Sequence, residues 1–279
     1  MSMDLQFAYD EVKKIVQTND SDRYFATLFA PEGRRKYLFA LYAFNIEIAR
    51  VRDLISQPLP GEVRLQWWRD VISADDANSA HPLAAALIDT IKQNKLPVQA
   101  LLNMLDARVF DLYDDVMPDW HNLDAYCGET SSAIFRLATL ILSKGKENGT
   151  GEICGHAGIA YAYCNFLRNL PKYSRRGQVY FPQEALIDHN LTRDDIINCR
   201  ASLNINSLLS QTRSKIWDHM AQTHAVARSL DSSFASAFLP LATIKPYLKQ
   251  MAKNSYQPFE TKIDLANWQR ILAMIKFKL

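Results

Sequence analysis

The stretch Cys164–Pro182, CNFLRNLPKYSRRGQVYFP, decides how the chain is read. An apolar, small-residue helix, His156–Leu170, runs into it, and a basic turn with Pro171, Arg175, Arg176 and Gly177 ends it. Asn165, Asn169 and Tyr173 recur at four-residue steps, the spacing that puts side chains on one helical face. This pattern predicts one wall of a pocket whose mouth is cationic. A second stretch, Tyr42–Asp53 (YAFNIEIARVRD), predicts the opposite wall, with Asn45, Ala49 and Asp53 on one face and Arg50 and Arg52 flanking.

Elsewhere, apolar positions recur at three- and four-residue steps and strand-like alternation is nearly absent. The fold class expected is therefore all-α, about ten to twelve helices without internal repeats. Expected helices include Asp4–Gln17, one N-capped by Ser21 or Asp22, Arg34–Ile55, Glu62–Ser73 after a Pro58–Gly61 loop, and Val98–Tyr113 behind Pro97. Further along stand Leu123–Ser143, the central Glu152–Leu170, Asp194–Cys199, Ser202–Leu230 and Asp264–Lys278. With nine glycines in 279 residues and no low-complexity linker, a single domain over residues 1–279 is expected.

Several function classes lose support at this stage. A net charge of +2 is too weak to predict a nucleic-acid partner. Neither GxxxxGK[ST], GxGxxG nor GxSxG occurs, so nucleotide binding and that class of serine hydrolase have no motif. Cys127, Cys154, Cys164 and Cys199 form no CxxC pair and read as reduced thiols. The N-terminus lacks the apolar core of a secretory signal, and no apolar run reaches the length of a bilayer span. A cytoplasmic location follows as the expectation, with peripheral membrane contact at most.

The strings LYAFN…D, LQWWRDVI and NFLRN…RRGQVYFP resemble the squalene/phytoene synthases from about Arg23 to Pro182. That resemblance implies an isoprenoid-synthase-type helical bundle around a central cavity. It also implies two facing helices with aspartate-rich motifs of DDxxD and DxxxD type. Their carboxylates would hold Mg²⁺, a hard cation that neutralises the departing diphosphate when two prenyl chains are joined head to head.

This chain departs from the pattern at both places. It reads Ala49-Arg50-Val51-Arg52-Asp53 in the first and Asn169-Leu170-Pro171-Lys172-Tyr173 in the second, leaving Asp53 as the one expected carboxylate and the one candidate metal ligand. Cations beside a would-be Mg²⁺ site repel the metal. No cofactor is therefore expected, and Mg²⁺ only if the chain is after all an active head-to-head prenyl transferase. Arg168, Arg175, Arg176 and Tyr180 remain in the matching string, and arginine grips phosphate without a metal. The expected ligand-binding set is Arg50, Asn165, Arg168, Asn169, Lys172, Arg175, Arg176 and Tyr180, for a prenyl diphosphate or anionic lipid. The duller alternative pairs Arg50, Arg52 and Lys172 with Glu47, Asp53 or surface acids. AFNIEIARVRD, LQWWRDVI and DAYCGETSS (Asp124–Ser132) resemble the branch of the family that assists assembly of respiratory complex I. That implies a pseudoenzyme with respiratory-complex subunits as partners.

Other features carry plainer expectations. Asp111, Asp114 and Asp115 form an acidic cluster read as solvated surface, with Asp106 able to face a pocket mouth. Adjacent helical residues point about 100° apart, so one of Trp67 and Trp68 is expected in the core and the other partly exposed. His156 is read as a satisfied core residue. The last helix, with Trp268, Leu272 and Ile275 on one side and Lys276 and Lys278 nearby, is either docked on the body or a basic surface helix touching anionic lipid. Docking is favoured by the recurrence of Ile263, Leu265 and Trp268.

Overall fold

The computed structural model describes residues 4–74, 81–113, 115–146, 149–227 and 231–277. Among them every regular element is helical, as expected. The first α-helices are α1 (Leu5–Asn19), α2 (Ser21–Leu28), α3 (Glu32–Ala49), α4 (Pro58–Ala74), α5 (Pro82–Asn94) and α6 (Val98–Arg108). The middle of the chain forms α7 (Trp120–Cys127), α8 (Ala133–Leu142), α9 (Gly151–Arg168), α10 (Leu170–Arg175) and α11 (Gln183–Asp188). Then come α12 (Arg193–Ile197), α13 (Leu203–Ala227), α14 (Ala235–Phe238), α15 (Ile244–Met251) and α16 (Asn267–Lys276).

Sixteen α-helical segments stand among the described residues, more than the ten to twelve expected, and three of the expected long runs end or break in ways the sequence did not mark. The run Arg34–Ile55 stops as an α-helix at Ala49 and continues as a 3₁₀ turn, Val51–Leu54. The run Leu123–Ser143 is interrupted by a π-helical turn over Gly128–Ser132. Beyond Asn169, Pro171 starts the separate short helix α10, where a missing backbone N–H costs nothing. Conversely, Pro58 opens α4 itself, so the expected Pro58–Gly61 loop is helical. The cap of α2 is Asp20, whose carboxylate accepts from the Arg23 N–H.

The chain divides into two compact units. Unit 1 comprises Met1–Tyr113, Ala133–Glu152 and Ser229–Pro240; unit 2 comprises Asp114–Ser132, Ile153–Arg228 and Leu241–Leu279. In unit 1, α3 is the central helix. Leu38 through Ile46 are all buried, so every side of the helix meets protein, with α1, α5 and α8 around it. Trp68 is 1% exposed and sits edge-on to Phe44, whereas Trp67 is 40% exposed, dividing the pair as its spacing predicts.

In unit 2, α9 plays the corresponding part, burying Ala157, Gly158, Tyr161, Tyr163, Cys164 and Leu167. Its closest neighbour is the π-helical turn: a Cβ on Gly158 would stand 2.3 Å from the Ser132 Cα. Only glycine fits there. Ser132 in turn donates its hydroxyl to the Gly155 carbonyl at 2.9 Å, tying the two backbones together. Cys127, Cys154 and Cys164 are buried and Cys199 half-buried. No helix among the described residues is long and apolar enough to cross a membrane.

Candidate anion-binding site

The two stretches singled out in the sequence fall in different units. In unit 1, Asn45 is buried and accepts from the Arg23 guanidinium at 2.6 Å, while its amide faces the Met104 sulfur at 3.7 Å. Arg23 is itself 5% exposed, stands 3.6 Å from Asp20 and lies 5.1 Å over the Tyr42 ring. Burial pushes the Tyr42 phenol up to about 12, even against the lowering effect of that guanidinium. This is a polar knot inside the core.

The expected single face of Asn45, Ala49 and Asp53 does not form. The α-helix ends at Ala49, the tighter 3₁₀ turn changes the angular step, and Asp53 emerges exposed. Arg50 is exposed as well, its guanidinium 3.4 Å from the Asn19 side-chain carbonyl. Glu47 is bound by Arg64.

In unit 2 the predicted residues gather at the C-terminal end of α9. The Asn165 carbonyl accepts both the backbone and side-chain N–H of Asn169, and its side chain accepts from Arg168 at 3.2 Å. Arg168 lies 3.8 Å over the Tyr247 ring and 4.0 Å from Asp264. Burial on its own would raise the Asp264 carboxyl. The Leu265 N–H and the charges of Arg270 and Arg168 outweigh it and hold that carboxyl below the usual range.

Tyr180, the far end of the quoted stretch, stacks on Phe166 with ring centres 4.2 Å apart and accepts from Gln178 at 2.7 Å. Tyr173 meets Tyr180 edge-on at 5.0 Å, and the Arg176 guanidinium caps Tyr173 from 4.7 Å. Gly177, at φ +76°, closes α10 with its N–H on the Ser174 carbonyl, while the Gln178 N–H reaches that of Tyr173. Lys172 and Arg175 stay exposed.

Behind this basic rim lies an aromatic crevice walled by Trp120, Tyr163, Phe166, Tyr173, Tyr180 and Phe181. The cationic rim suits an anion, while the crevice encloses only about 10 Å³, about the room of one water molecule.

Three contacts escaped the sequence reading. Tyr163 donates to Asp124, and burial, then that carboxylate, push its phenol well above the ordinary value. His156 and His219 share a hydrogen bond between their Nδ1 atoms at 3.0 Å, and burial lowers the His219 pKa. Lys215 stands 4.5 Å over Trp120. Only Asp124 and His156 carried any signal, the first within DAYCGETSS and the second on the central helix. The acidic cluster divides: Asp111 is 4% exposed and paired with Arg108, against the solvated surface expected, whereas Asp115 is exposed as expected; Asp106 is exposed on Arg69, and Asp114 lies outside the described residues.

A sequence profile described as squalene/phytoene synthase matches residues 16–271. The chain belongs to that family. Among the relatives of this squalene/phytoene synthase family member is the mouse (Mus musculus) NADH dehydrogenase (ubiquinone) complex I, assembly factor 6. It is 24% identical over 256 residues, 91% of this chain and 77% of the relative. A 15-cis-phytoene synthase of Synechococcus elongatus is 21% identical over 287 residues, covering 97% and 92% of the two chains. The crystal structure of a dehydrosqualene synthase in complex with ligand superposes with a TM-score of 0.84 at 14% identity, over 98% of this chain and 95% of that one, which shows the shared fold.

The magnesium implied by the resemblance to the synthases does not fit the donors present. In unit 1, Asp53 is exposed with Arg50 and Arg52 within three residues, and Glu47 is engaged by Arg64. At the corresponding unit 2 positions, 169–173, stand one amide, a lysine and a phenol. Among the described residues no group of three or more His, Cys, Asp or Glu side chains is placed to hold a metal ion. A divalent cation prefers several carboxylate oxygens and meets guanidinium charge instead.

Proposed function

We propose that this family member is a pseudoenzyme, non-catalytic or weakly active, that binds a prenyl or lipid phosphate and acts in respiratory complex I assembly. One observation carries the reading: at Ala49, Arg50, Asn169 and Tyr173 a methyl, a guanidinium, an amide and a phenol stand where carboxylates are expected, with Lys172 adjoining, which leaves Asp53 alone. Without paired carboxylates, nothing gathers Mg²⁺ on a leaving diphosphate, and ionisation loses its Lewis acid. The cations at Arg168, Lys172, Arg175 and Arg176 supply the binding half of the chemistry alone. The 24% identity to complex I assembly factor 6 supports the assembly role, with complex subunits as partners. A cytoplasmic or membrane-peripheral location accompanies this reading.

The opposing reading is an active head-to-head prenyl transferase, and the phytoene synthase relative is what favours it. Incubation with farnesyl and geranylgeranyl diphosphates plus Mg²⁺ separates the two. The pseudoenzyme reading expects the diphosphates to be recovered intact. Formation of a C30 or C40 condensation product overturns it.

A further inference from the structure

The crevice beside the rim has room for about one water molecule, yet its walls come from separate helices. Trp120 and Leu123 belong to α7, Tyr163 and Phe166 to α9, Ile196 to α12 and Thr212 to α13. Of these, α13 is thinly held. From Thr212 to its end it buries only Ile216 and Met220 among its large apolar side chains, whereas α3 is buried on every side from Leu38 to Ile46. The hydroxyls of Thr212 and Thr223 bond back to their own helix, at the Leu208 and His219 carbonyls. The joint before the helix, Arg200–Ser202, is non-helical and exposed.

Polar side chains clasp α13 to its neighbours. The His156 and His219 rings meet through their Nδ1 atoms at 3.0 Å, and Lys215 lies 4.5 Å over Trp120. Tyr163 stands edge-on to His219, ring centres 6.2 Å apart, and donates to Asp124. His156 precedes Tyr163 by seven residues, and His219 follows Thr212 by seven. Seven residues are two turns, about 10 Å, so on each helix the histidine shares a face with a crevice residue. A bond between two Nδ1 atoms needs one of them unprotonated. A first added proton can occupy an outer Nε2 and leave that bond in place. A second sets N–H against N–H and cation against cation, with Lys215 adding to the repulsion. The groups facing the pair and Tyr163 are Asp124 and Cys127 of α7, with Lys215 and Asp218 of α13 itself. Burial, joined by His156 and Lys215, lowers the His219 pKa against the opposing pull of Asp124 and Asp218.

We infer that His156 and His219 form an acid-released latch that holds α13 against α9 and keeps the crevice shut, and that double protonation frees α13 to make room for an apolar chain. The kind of chain admitted rests on the lipid-phosphate reading above. The latch and the cationic rim depend on different side chains, so either can fail without the other.

The test is titration of the full chain with farnesol, an isoprenoid without phosphate, at pH 7.5 and at pH 5, with hydrogen exchange of α13 peptides followed alongside. Farnesol carries no charge and does not call on the rim, which a separate pyrophosphate titration reads. Farnesol affinity should rise by about tenfold at pH 5, with exchange increasing in α13 ahead of α9. The double variant His156→Phe, His219→Phe keeps two rings and no titrating nitrogen, so its farnesol affinity should be the same at both pH values. His219→Lys sets a fixed charge beside His156 and should bind farnesol at pH 7.5 as the parent does at pH 5. Equal affinity of the parent at both pH values, a rise that persists in the double variant, or no gain in His219→Lys at pH 7.5 would each overturn the inference. So would exchange that rises equally throughout the chain at pH 5, the mark of acid unfolding in place of one helix released.

Discussion

The two stretches expected to form opposite walls of one pocket do different physical work. Tyr42–Asp53 turns its polar side chains inward: Asn45, Arg23 and Tyr42 form a knot in the core of unit 1, and its charges emerge only where α3 ends. Cys164–Pro182 keeps its polar groups half-buried at a rim, with Arg168 and Arg176 laid over tyrosine rings and Lys172 and Arg175 exposed. The first stretch supports the fold; the second leaves Lys172 and Arg175 at the surface. A cation in a motif is therefore informative only once its burial is known.

That contrast breaks first at Arg23. Arg23→Ala leaves Asp20 and Asn45 without their buried donor and should cost about 3 kcal/mol in urea unfolding, with pyrophosphate binding unchanged. A cost below about 1 kcal/mol would show that the knot does not hold the core together. Within unit 2, Gly158→Ala should cost about 2 kcal/mol, because the new methyl meets Ser132 backbone that cannot move aside. Gly155→Ala, three residues away with open space around it, should instead stabilise by about 0.5–1 kcal/mol. Equal effects at the two glycines would contradict the close α9 contact.

A smaller effect depends on pH. Burial depresses the folded pKa of His219, so the unfolded chain binds more protons just below the ordinary histidine value of about 6.5. The stabilisation is complete above that pH and is lost as pH falls toward the folded pKa. His219→Asn should flatten the slope of stability against pH below 6.5, although His81, lowered by burial in unit 1, will leave part of it. An unchanged slope would refute the role of the His156–His219 pair. Smallest of all, Arg50→Ala should stay within about 0.5 kcal/mol of the parent, as befits an exposed residue.

Much of this was legible in the chain itself. The three- to four-residue apolar period made the fold all-α, Pro97 and Gly177 marked element ends, and the split of Trp67 from Trp68 followed from helical geometry. What escaped has a common cause. The end of α3 at Ala49 has neither proline nor glycine to announce it, and ARVRDLI reads as continuous helix. The His156–His219 and Tyr163–Asp124 contacts join residues 63 and 39 positions apart, beyond any local period. Arg270 is a further case, one on which the sequence pattern is silent. Charge on an amphipathic helix marks the outer face by default, yet here a carbonyl, a carboxylate and a phenol take it inside.

The most direct test of the central claim, a diphosphate rim that works without metal, is calorimetric titration of the full chain with inorganic pyrophosphate in excess Mg²⁺ and again in EDTA. The account predicts affinities within about threefold of each other, both falling at least about tenfold, or 1.4 kcal/mol, when Arg168 and Arg176 are replaced by alanine. Binding that tightens by more than about tenfold with Mg²⁺, and loses that gain in Asp53→Asn, would contradict it.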